Sequence, residues 1–451
     1  MRADGSVQLI FDAWRQCLTH FARTEPRVAS RIWAVARRYV DWVDIGTVAS
    51  DAYVACAKEC LMLNDLDGAS EDLRSASTAY LHAIFTKGME TSVKLSLITT
   101  TNIIQVCSEL QSICTSRAKE FDEEFVAQVT YLTTTVGTEL LNANKIENIT
   151  TLGPELSAQA SALLHTITPV IISSISSDHE RAVLAALPFL AAYVSYVKSQ
   201  PALLASAQPA LTTACQALIA RGAFPLEEVA EFDWNDGSNA LTQEFEADIF
   251  NLRAELNVQF RNIARLVPQL AREVVRQVLS SAIPVSIDSQ NVRWQNVEVA
   301  VSALYTLGEG ADDAAVKPMS LAERAQATNG TGDVSDTPLG ALAISLIKQW
   351  GPNVAHAARH RIVAPIFLET CVRYHSVLER DDEALMLALT AFLDERGIQH
   401  TDQTVRARAC YLFSRLCRPL RCKLSDRVED IMRVLPNRLA EAAQSVVVPD
   451  T

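Results

Sequence analysis

The chain reads as all-α, an α-solenoid of HEAT-type antiparallel helix pairs, and three observations lead there. Amphipathic helical stretches recur in pairs with a period of roughly 40 to 47 residues, the range of helical-repeat arrays. Apolar residues make up 49% of the 451 positions but aromatic ones only 6%, which suits helices packed on helices better than a sheet. No stretch alternates apolar and polar residues as a half-buried strand does.

Taken in order, Val7 to Phe21 places Val7, Ile10, Trp14, Cys17, Leu18 and Phe21 on one helical face. Pro26 opens a second helix, whose Val28, Ile32, Val35, Ala36, Tyr39 and Val43 repeat the pattern. The cycle continues with Val48 to Leu63 and Leu73 to Phe85, then Val93 to Ile113 and Phe125 to Leu141, then Leu156 to Ile175 and Arg181 to Val197. This predicts an N-terminal repeat segment over 1–221. Residues 222–245 read as an acidic linker or loop, 246–307 as further repeats interrupted near Pro268, and 308–338 as a flexible insertion rich in Gly, Asp, Thr and Ser. A C-terminal repeat segment with a basic patch fills 339–451.

The pair 389–418 shows the repeat unit best. One helix closes at Gly397, which would supply the left-handed residue, and another opens after Thr401 or Asp402. Val405, Ala409, Leu412, Phe413 and Leu416 then form its apolar stripe. Asp402, Val405, Arg406 and Ala409 fit a D-x-x-V-R-x-x-A helix start. Glu71–Ala76 and Asp178–Ala182 look like degenerate copies, in which the acid caps and the arginine pairs with a neighbouring repeat.

Several chemistries are missing from the sequence. It holds no phosphate-cradling GxxxxGK, no GxSxG elbow, no HExxH and no glycine-rich nucleotide fingerprint, so no enzyme activity and no cofactor are expected. His356 and His360 stand four apart without an obvious third metal ligand, and Arg359 between them opposes a cation. Ten cysteines lie mostly inside apolar helical patterns with no CxxC and no secretory leader, which reads as reduced thiols in a cytosolic or nuclear setting. The most apolar run, Val183 to Val197, is expected to be broken by Pro188 and too short for a bilayer, so membrane insertion is not expected.

Charge marks two candidate sites. The net charge of −13 argues against polyanion binding by bulk attraction, but Arg396 to Arg438 holds ten bases against four acids. Arg408 and Arg415, seven apart, share one flank of the apolar stripe; Arg418 lies further round, and Arg421 and Lys423 are placed in a following turn. Arg406 falls on the opposite flank and reads as a structural ladder residue. These five bases are candidates for neutralising a phosphate backbone, the alternative being a solvated face paired with acids of adjacent repeats. The second candidate is the stretch from Gly222 to Leu252, with eight acids and no Lys or Arg. There Glu227, Glu228, Phe232, Asp233, Trp234 and Asp236 form either a solvated linker or an acidic-aromatic loop that docks a basic partner.

Four segments resemble a known family, in the order that family gives: Trp42-Val-Asp-Ile with Ala49-Ser-Asp51, Lys87-Gly-Met-Glu, Val297–Glu309, and Phe392–His400 followed by Val405–Arg415. The family is exportin-T, the karyopherins that export transfer RNA from the nucleus. The resemblance implies a solenoid that binds tRNA cooperatively with the GTP form of Ran, meets nuclear pore proteins, and shuttles between nucleus and cytoplasm. It covers the interior of the family chain. The family's N-terminal helices, which carry much of the Ran contact, are expected to have no counterpart before Met1, nor its C-terminal arch after Thr451. Ala52 stands where the family pattern usually has a base. Weak tRNA binding by this chain alone is therefore expected. The reading from another class is a HEAT scaffold that binds proteins and no RNA.

Overall fold

The computed structural model describes residues 5–63, 68–226, 234, 239–283, 292–311, 313, 315–316, 337–350, 354, 356–429 and 431–433. Among these there is no strand; the chain is helical throughout, a helical-repeat solenoid. It divides into two units, Met1–Ala217 and Leu218–Thr451. Most of the 308–338 insertion, Arg438, and the docking candidates Glu227, Glu228, Phe232, Asp233 and Asp236 lie outside the described residues.

The first unit holds α1 (Ser6–Phe21), α2 (Pro26–Tyr39), α3 (Ile45–Val48), α4 (Asp51–Leu61), α5 (Gly68–Thr86), α6 (Thr91–Thr100), α7 (Ile103–Ser116), α8 (Glu123–Ala143), α9 (Ile146–Leu152), α10 (Pro154–Ser173), α11 (Glu180–Ser199) and the start of α12 (Leu204–Arg221). Helices α2, α5, α8 and α11 pack side by side as one layer, with α1, α4, α7 and α10 against them as the other. Each repeat thus buries its apolar stripe between two neighbours, which is how stacked hairpins make a core no single hairpin could. In α8, Phe125, Val129, Leu132, Val136 and Leu140 are buried at 3.6-residue spacing. Asp122 caps α8, accepting from the Phe125 amide at 2.7 Å. Gly137 is the point of closest approach: a Cβ there would stand 2.4 Å from Ile171 Cδ1 and 2.7 Å from Phe189 Cε2.

Several expectations are corrected in this unit. The apolar face of α2 is turned by about one residue. Ala29, Trp33, Ala36 and Val40 are buried, while Val28, Val35 and Tyr39 are 42%, 42% and 47% exposed. In α1 Phe11 is buried and Ile10 is 48% exposed, because Phe11 packs on Tyr53 at 5.3 Å. The stretch 93–113 is two helices, broken at Asn102, whose φ of 48° turns the chain. Finally, Pro188 does not break α11. The carbonyl it would leave unpaired belongs to Leu184, and both positions face out, where water satisfies it. Pro154–Ser176, Glu180–Ser199 and Pro201–Arg221 are in fact long and apolar enough to cross a membrane by length and composition. The apolar sides of α10 and α11 are nonetheless packed on α8.

The second unit holds α13 (Ala240–Leu266), α14 (Pro268–Ala282), α15 (Trp294–Gly310), α16 (Pro338–Gln349), α17 (Val363–Arg373), α18 (His375–Leu378), α19 (Asp382–Leu393) and α20 (Gln403–Leu424). Helices α13, α15, α17 and α20 form one layer; α14, α16 and α19 form the other. A buried ion pair ties α13 to α15: Arg253 Nη1 donates to Glu298 Oε1 at 2.7 Å and Nη2 to Oε2 at 2.9 Å. Arg253 also donates to the Gly222 carbonyl at 2.9 Å.

The turn before α20 differs from expectation. The preceding helix ends at Leu393, four residues early, and Gly397 is not left-handed. The glycine is needed for another reason: a Cβ would lie 2.2 Å from the Phe392 carbonyl oxygen. That close approach lets the Ile398 amide bond the same carbonyl at 2.9 Å and close the turn. Asp402 does cap α20, accepting from the Thr404 amide at 2.7 Å. Its look-alikes place their acids inside the helix instead of at the cap position: Glu71 and Glu180 stand in the first turns of α5 and α11, where an acid favours the helix N-terminus, and Arg181 pairs with Glu124 of α8 at 2.7 Å as expected.

Candidate nucleic-acid interface

Helix α20 is held in place by its stripe, Val405, Ala409, Leu412, Phe413 and Leu416, all buried as expected. It runs through Pro419 to Leu424, so Arg421 and Lys423 belong to its last turn and not to a following loop. With 3.6 residues per turn, Arg408 and Arg415 share one flank, Arg418 points away from the core, and Arg421 falls on the far flank. Arg408, Arg415, Arg418 and Arg421 are exposed; Lys423 is half-buried.

The partners divide these bases. Arg408 Nε donates to Glu369 on α17 at 2.9 Å, and Lys423 Nζ to Asp382 on α19 at 2.6 Å. Among the described residues Arg415, Arg418 and Arg421 have no carboxylate partner. Arg406, expected to make the inter-repeat ladder, instead donates to the His400 and Thr401 carbonyls at 2.7 Å each, clamping its own turn. The ladder is made by others. Glu309 on α15 accepts from Arg261 on α13 at 2.6 Å and from Arg373 on α17 at 3.0 Å.

Arg373, Arg408 and Arg415 line one cleft of about 290 Å³, with Tyr305, Glu369, His375 and Leu412. The Arg373 guanidinium lies 4.0 Å from the centre of the Tyr305 ring, and Arg408 and Arg415 lie 5.4 and 5.9 Å from that of Tyr411. Three guanidinium groups against Glu369 and the shared Glu309 leave the cleft cationic, suited to a phosphate or carboxylate. Sequence reasoning missed Arg373 and Tyr305. Only the packing of α17 beside α15 and α20 brings them here.

Trp234, the one docking candidate that is described, is core. It is 7% exposed and packs with Phe224, Phe245 and Trp294 at 5.5, 5.8 and 5.8 Å. Arg361, itself paired with Glu246, donates to the Trp234 carbonyl at 2.7 Å. His360 stacks on Trp294 at 3.8 Å, and its pKa is pushed down to about 3 by burial first, then by the charges of Arg361, His356 and His400. No group of three or more His, Cys, Asp or Glu converges for a metal among the described residues. Burial pushes the thiols of Cys107, Cys114 and Cys215 up to about 12, which suppresses thiolate chemistry there.

The Exportin-T family model matches residues 154–446. This chain belongs to the Exportin-T family. The exportin-T of Arabidopsis thaliana is 27% identical over 438 residues, which is 96% of this chain and 40% of that protein. Those of Mus musculus and Homo sapiens are each 26% identical, over 96% and 95% of this chain and 41% of theirs. The chain therefore spans about two-fifths of the length of the curated exportin-T proteins it matches. Among solved structures, importin-13 in its cytosolic state superposes with a TM-score of 0.70 at 14% identity, over 96% of this chain and 47% of that one. The exportin-T fold seen here is thus the helical solenoid of importin-13.

Proposed function

We propose that this chain forms part of a nuclear export receptor whose cargo is tRNA, loaded with the GTP form of Ran and carried past nuclear pore proteins between nucleus and cytoplasm. Membership of the Exportin-T family, through the match over residues 154–446, is the observation that carries this reading. Exposed Arg415, which lines the cationic cleft, and exposed Arg418 near it, neither with a carboxylate partner among the described residues, support it, since a folded RNA is gripped mainly through shape and phosphates. Arg421 would add to the field from the far flank, while Arg408 and Lys423 would have to share their charge with Glu369 and Asp382. The acidic segment carrying Glu227, Glu228, Phe232, Asp233 and Asp236 docks a basic partner surface in this reading, with Trp234 as its anchor in the core. Cooperation between tRNA and Ran follows from linkage: a ligand that orders the repeats lowers the ordering cost for the other. No covalent chemistry is asked of the chain.

The paired state of Arg408 and Lys423 favours the second reading, a protein-binding HEAT scaffold. The two separate in one titration. Labelled, folded tRNA is added to the full chain at 50 and 200 mM salt, with and without GTP-loaded Ran. The expected result is weak, salt-dependent binding, tightened by Ran and weakened at least several-fold by Arg415→Glu/Arg418→Glu. Absence of both binding and enhancement would leave the scaffold.

A further inference from the structure

Helix α2 carries a row of arginines that the α20 site does not explain. Arg27, Arg31 and Arg38, four and seven residues apart, fall on one line of the helix, opposite the buried Ala29, Trp33, Ala36 and Val40. The line rises about 6 Å from Arg27 to Arg31 and about 16 Å in all. Arg37 lies to one side, close enough to His82 on α5 that its charge, after burial, depresses the imidazole pKa. All four arginines are exposed, and among the described residues none has a hydrogen-bonding or carboxylate partner. From residue 15 to residue 38 six arginines face a single acid, Glu25. This differs from α20, where Glu369 and Asp382 hold two of the bases. Like charges at i, i+4 repel and weaken a helix, so the row has no structural advantage of its own. A polyanion laid along it would relieve the repulsion.

The neighbouring faces carry few acids: on α5 the exposed carboxylate is Asp72, in its second turn. Helices α5 and α8 follow α2 in the same layer. The one exposed carboxylate on the open face of α8 is Glu124, at its start, and it is already paired with Arg181 at 2.7 Å. Beyond it Tyr131 is 49% exposed, with its ring 6.5 Å from that of His82, whose Nε2 lies 3.0 Å from Thr135 Oγ1. An exposed aromatic one helix beyond a guanidinium row, reached across His82 of α5, offers stacking to an unpaired base while the row offers charge to its backbone.

We propose that the arginine row of α2, with His82 on α5 and Tyr131 on α8 continuing the same layer, is a second RNA-backbone contact, separate from the α20 flank. It rests on the tRNA reading above. The test is the full chain with Arg27→Gln/Arg31→Gln/Arg38→Gln, against a matched control, Lys198→Gln/Arg265→Gln/Arg272→Gln, that removes three cations elsewhere. Binding of a folded tRNA transcript is followed by anisotropy from 50 to 200 mM NaCl. Each lost phosphate contact flattens the salt slope by about 0.7 to 0.9, so three flatten it by about 2 to 3. Across that fourfold rise in salt the wild type should lose roughly 20-fold more affinity than the variant, and the control should follow the wild type. Tyr131→Ala should weaken binding several-fold with the slope unchanged, because stacking releases no counterions. If wild type binds and the α2 variant overlays it, the row is not a contact while the tRNA reading stands. If wild type binds no tRNA at any salt, that reading fails and takes this one with it. If polyglutamate binding is lost in the variant while tRNA binding is not, the row serves an acidic protein surface instead.

Discussion

Removing the charge of Glu298 should open the second unit at the joint between α13 and α15. The carboxylate is 2% exposed and the Arg253 guanidinium 8%, and they meet through two hydrogen bonds of 2.7 and 2.9 Å. The guanidinium is also 5.2 Å from the Phe224 ring and 5.5 Å from that of Phe250. Glu298→Gln leaves a buried cation with one charge partner fewer, and Arg253→Met leaves a buried carboxylate and the Gly222 carbonyl without their donor. Breaking one side of a buried pair costs about 3–5 kcal/mol. The double change Arg253→Met/Glu298→Leu removes both charges and fills the space with apolar atoms, so what remains is chiefly the orphaned carbonyl, about 1–3 kcal/mol. The double variant should therefore be more stable than either single one. Two units make a single unfolding midpoint a poor measure. The assay is hydrogen exchange of peptides across α13 and α15, with α8 peptides as internal reference. Single variants costing under about 1 kcal/mol, or a double costing the sum of the two, would refute the claim that the pair acts as a buried lock.

Two further effects follow from packing and titration. Gly137→Ala in α8 would gain about 1 kcal/mol of helix propensity in an open helix, but its Cβ meets Ile171 Cδ1 at 2.4 Å and Phe189 Cε2 at 2.7 Å. The Ile171 methyl can swing away; the Phe189 ring, stacked on Tyr193 at 6.1 Å, has less room, so a net loss of about 1–2 kcal/mol is expected in exchange across α8 and α11. His360 should make the second unit acid-sensitive: its folded pKa of about 3 lies below the ordinary 6.5, so between those values the unfolded chain binds a proton the folded one does not. Stability then falls as pH drops below 6.5, by about 1.4 kcal/mol per unit, and the loss is complete near pH 3. His360→Phe, which keeps the stack on Trp294, should remove about 2 kcal/mol of the difference between pH 7 and pH 5, read by exchange across α15 and α17.

The helical class and the pairing of helices were legible because burial on a stacked layer demands a 3.6-residue stripe, and α8 and α20 show it cleanly. The phase of α2 was not. Val28, Val35 and Tyr39 look as apolar as Ala29, Trp33 and Ala36, and it is packing from other helices, Trp33 on Tyr53 at 5.9 Å and on Tyr80 at 4.7 Å, that selects the second set. Gly397 was correctly marked as a turn glycine with the wrong cause, since close approach to a carbonyl leaves no more trace in sequence than a positive φ does. The basic flank of α20 was legible as charge, but not which of its arginines are free. Pairing is a property of the neighbouring helix, as Glu369 and Asp382 show. The same limit hid Arg373 and Tyr305 from the cleft and made Trp234 look like a docking residue.

The four segments that carry the family resemblance share one property: they are joints. Asp44 caps α3 through the Gly46 amide at 2.9 Å, and Lys87 donates to the Val40 and Asp41 carbonyls at 2.6 and 2.9 Å, closing the end of α2. Between Val297 and Glu309, Glu298 locks α13 to α15, Tyr305 lies against Arg373, and Glu309 bridges α13 to α17. Asp394 holds Arg396 at 2.6 Å, and Ile398 closes the turn ahead of α20. Residues of this kind fix where each helix sits, and their partners are other parts of the same chain. A cargo contact has the opposite signature: an exposed charge that the fold leaves unpartnered. Among the described residues Arg27, Arg31 and Arg38 on α2 and Arg418 on α20 carry that signature, and all four lie outside the resemblance segments; Arg415, which ends the fourth segment, has no carboxylate partner there but lies 5.9 Å from the Tyr411 ring. The family is thus written in the joints, while the chemistry that would hold an RNA stands on faces the joints only orient.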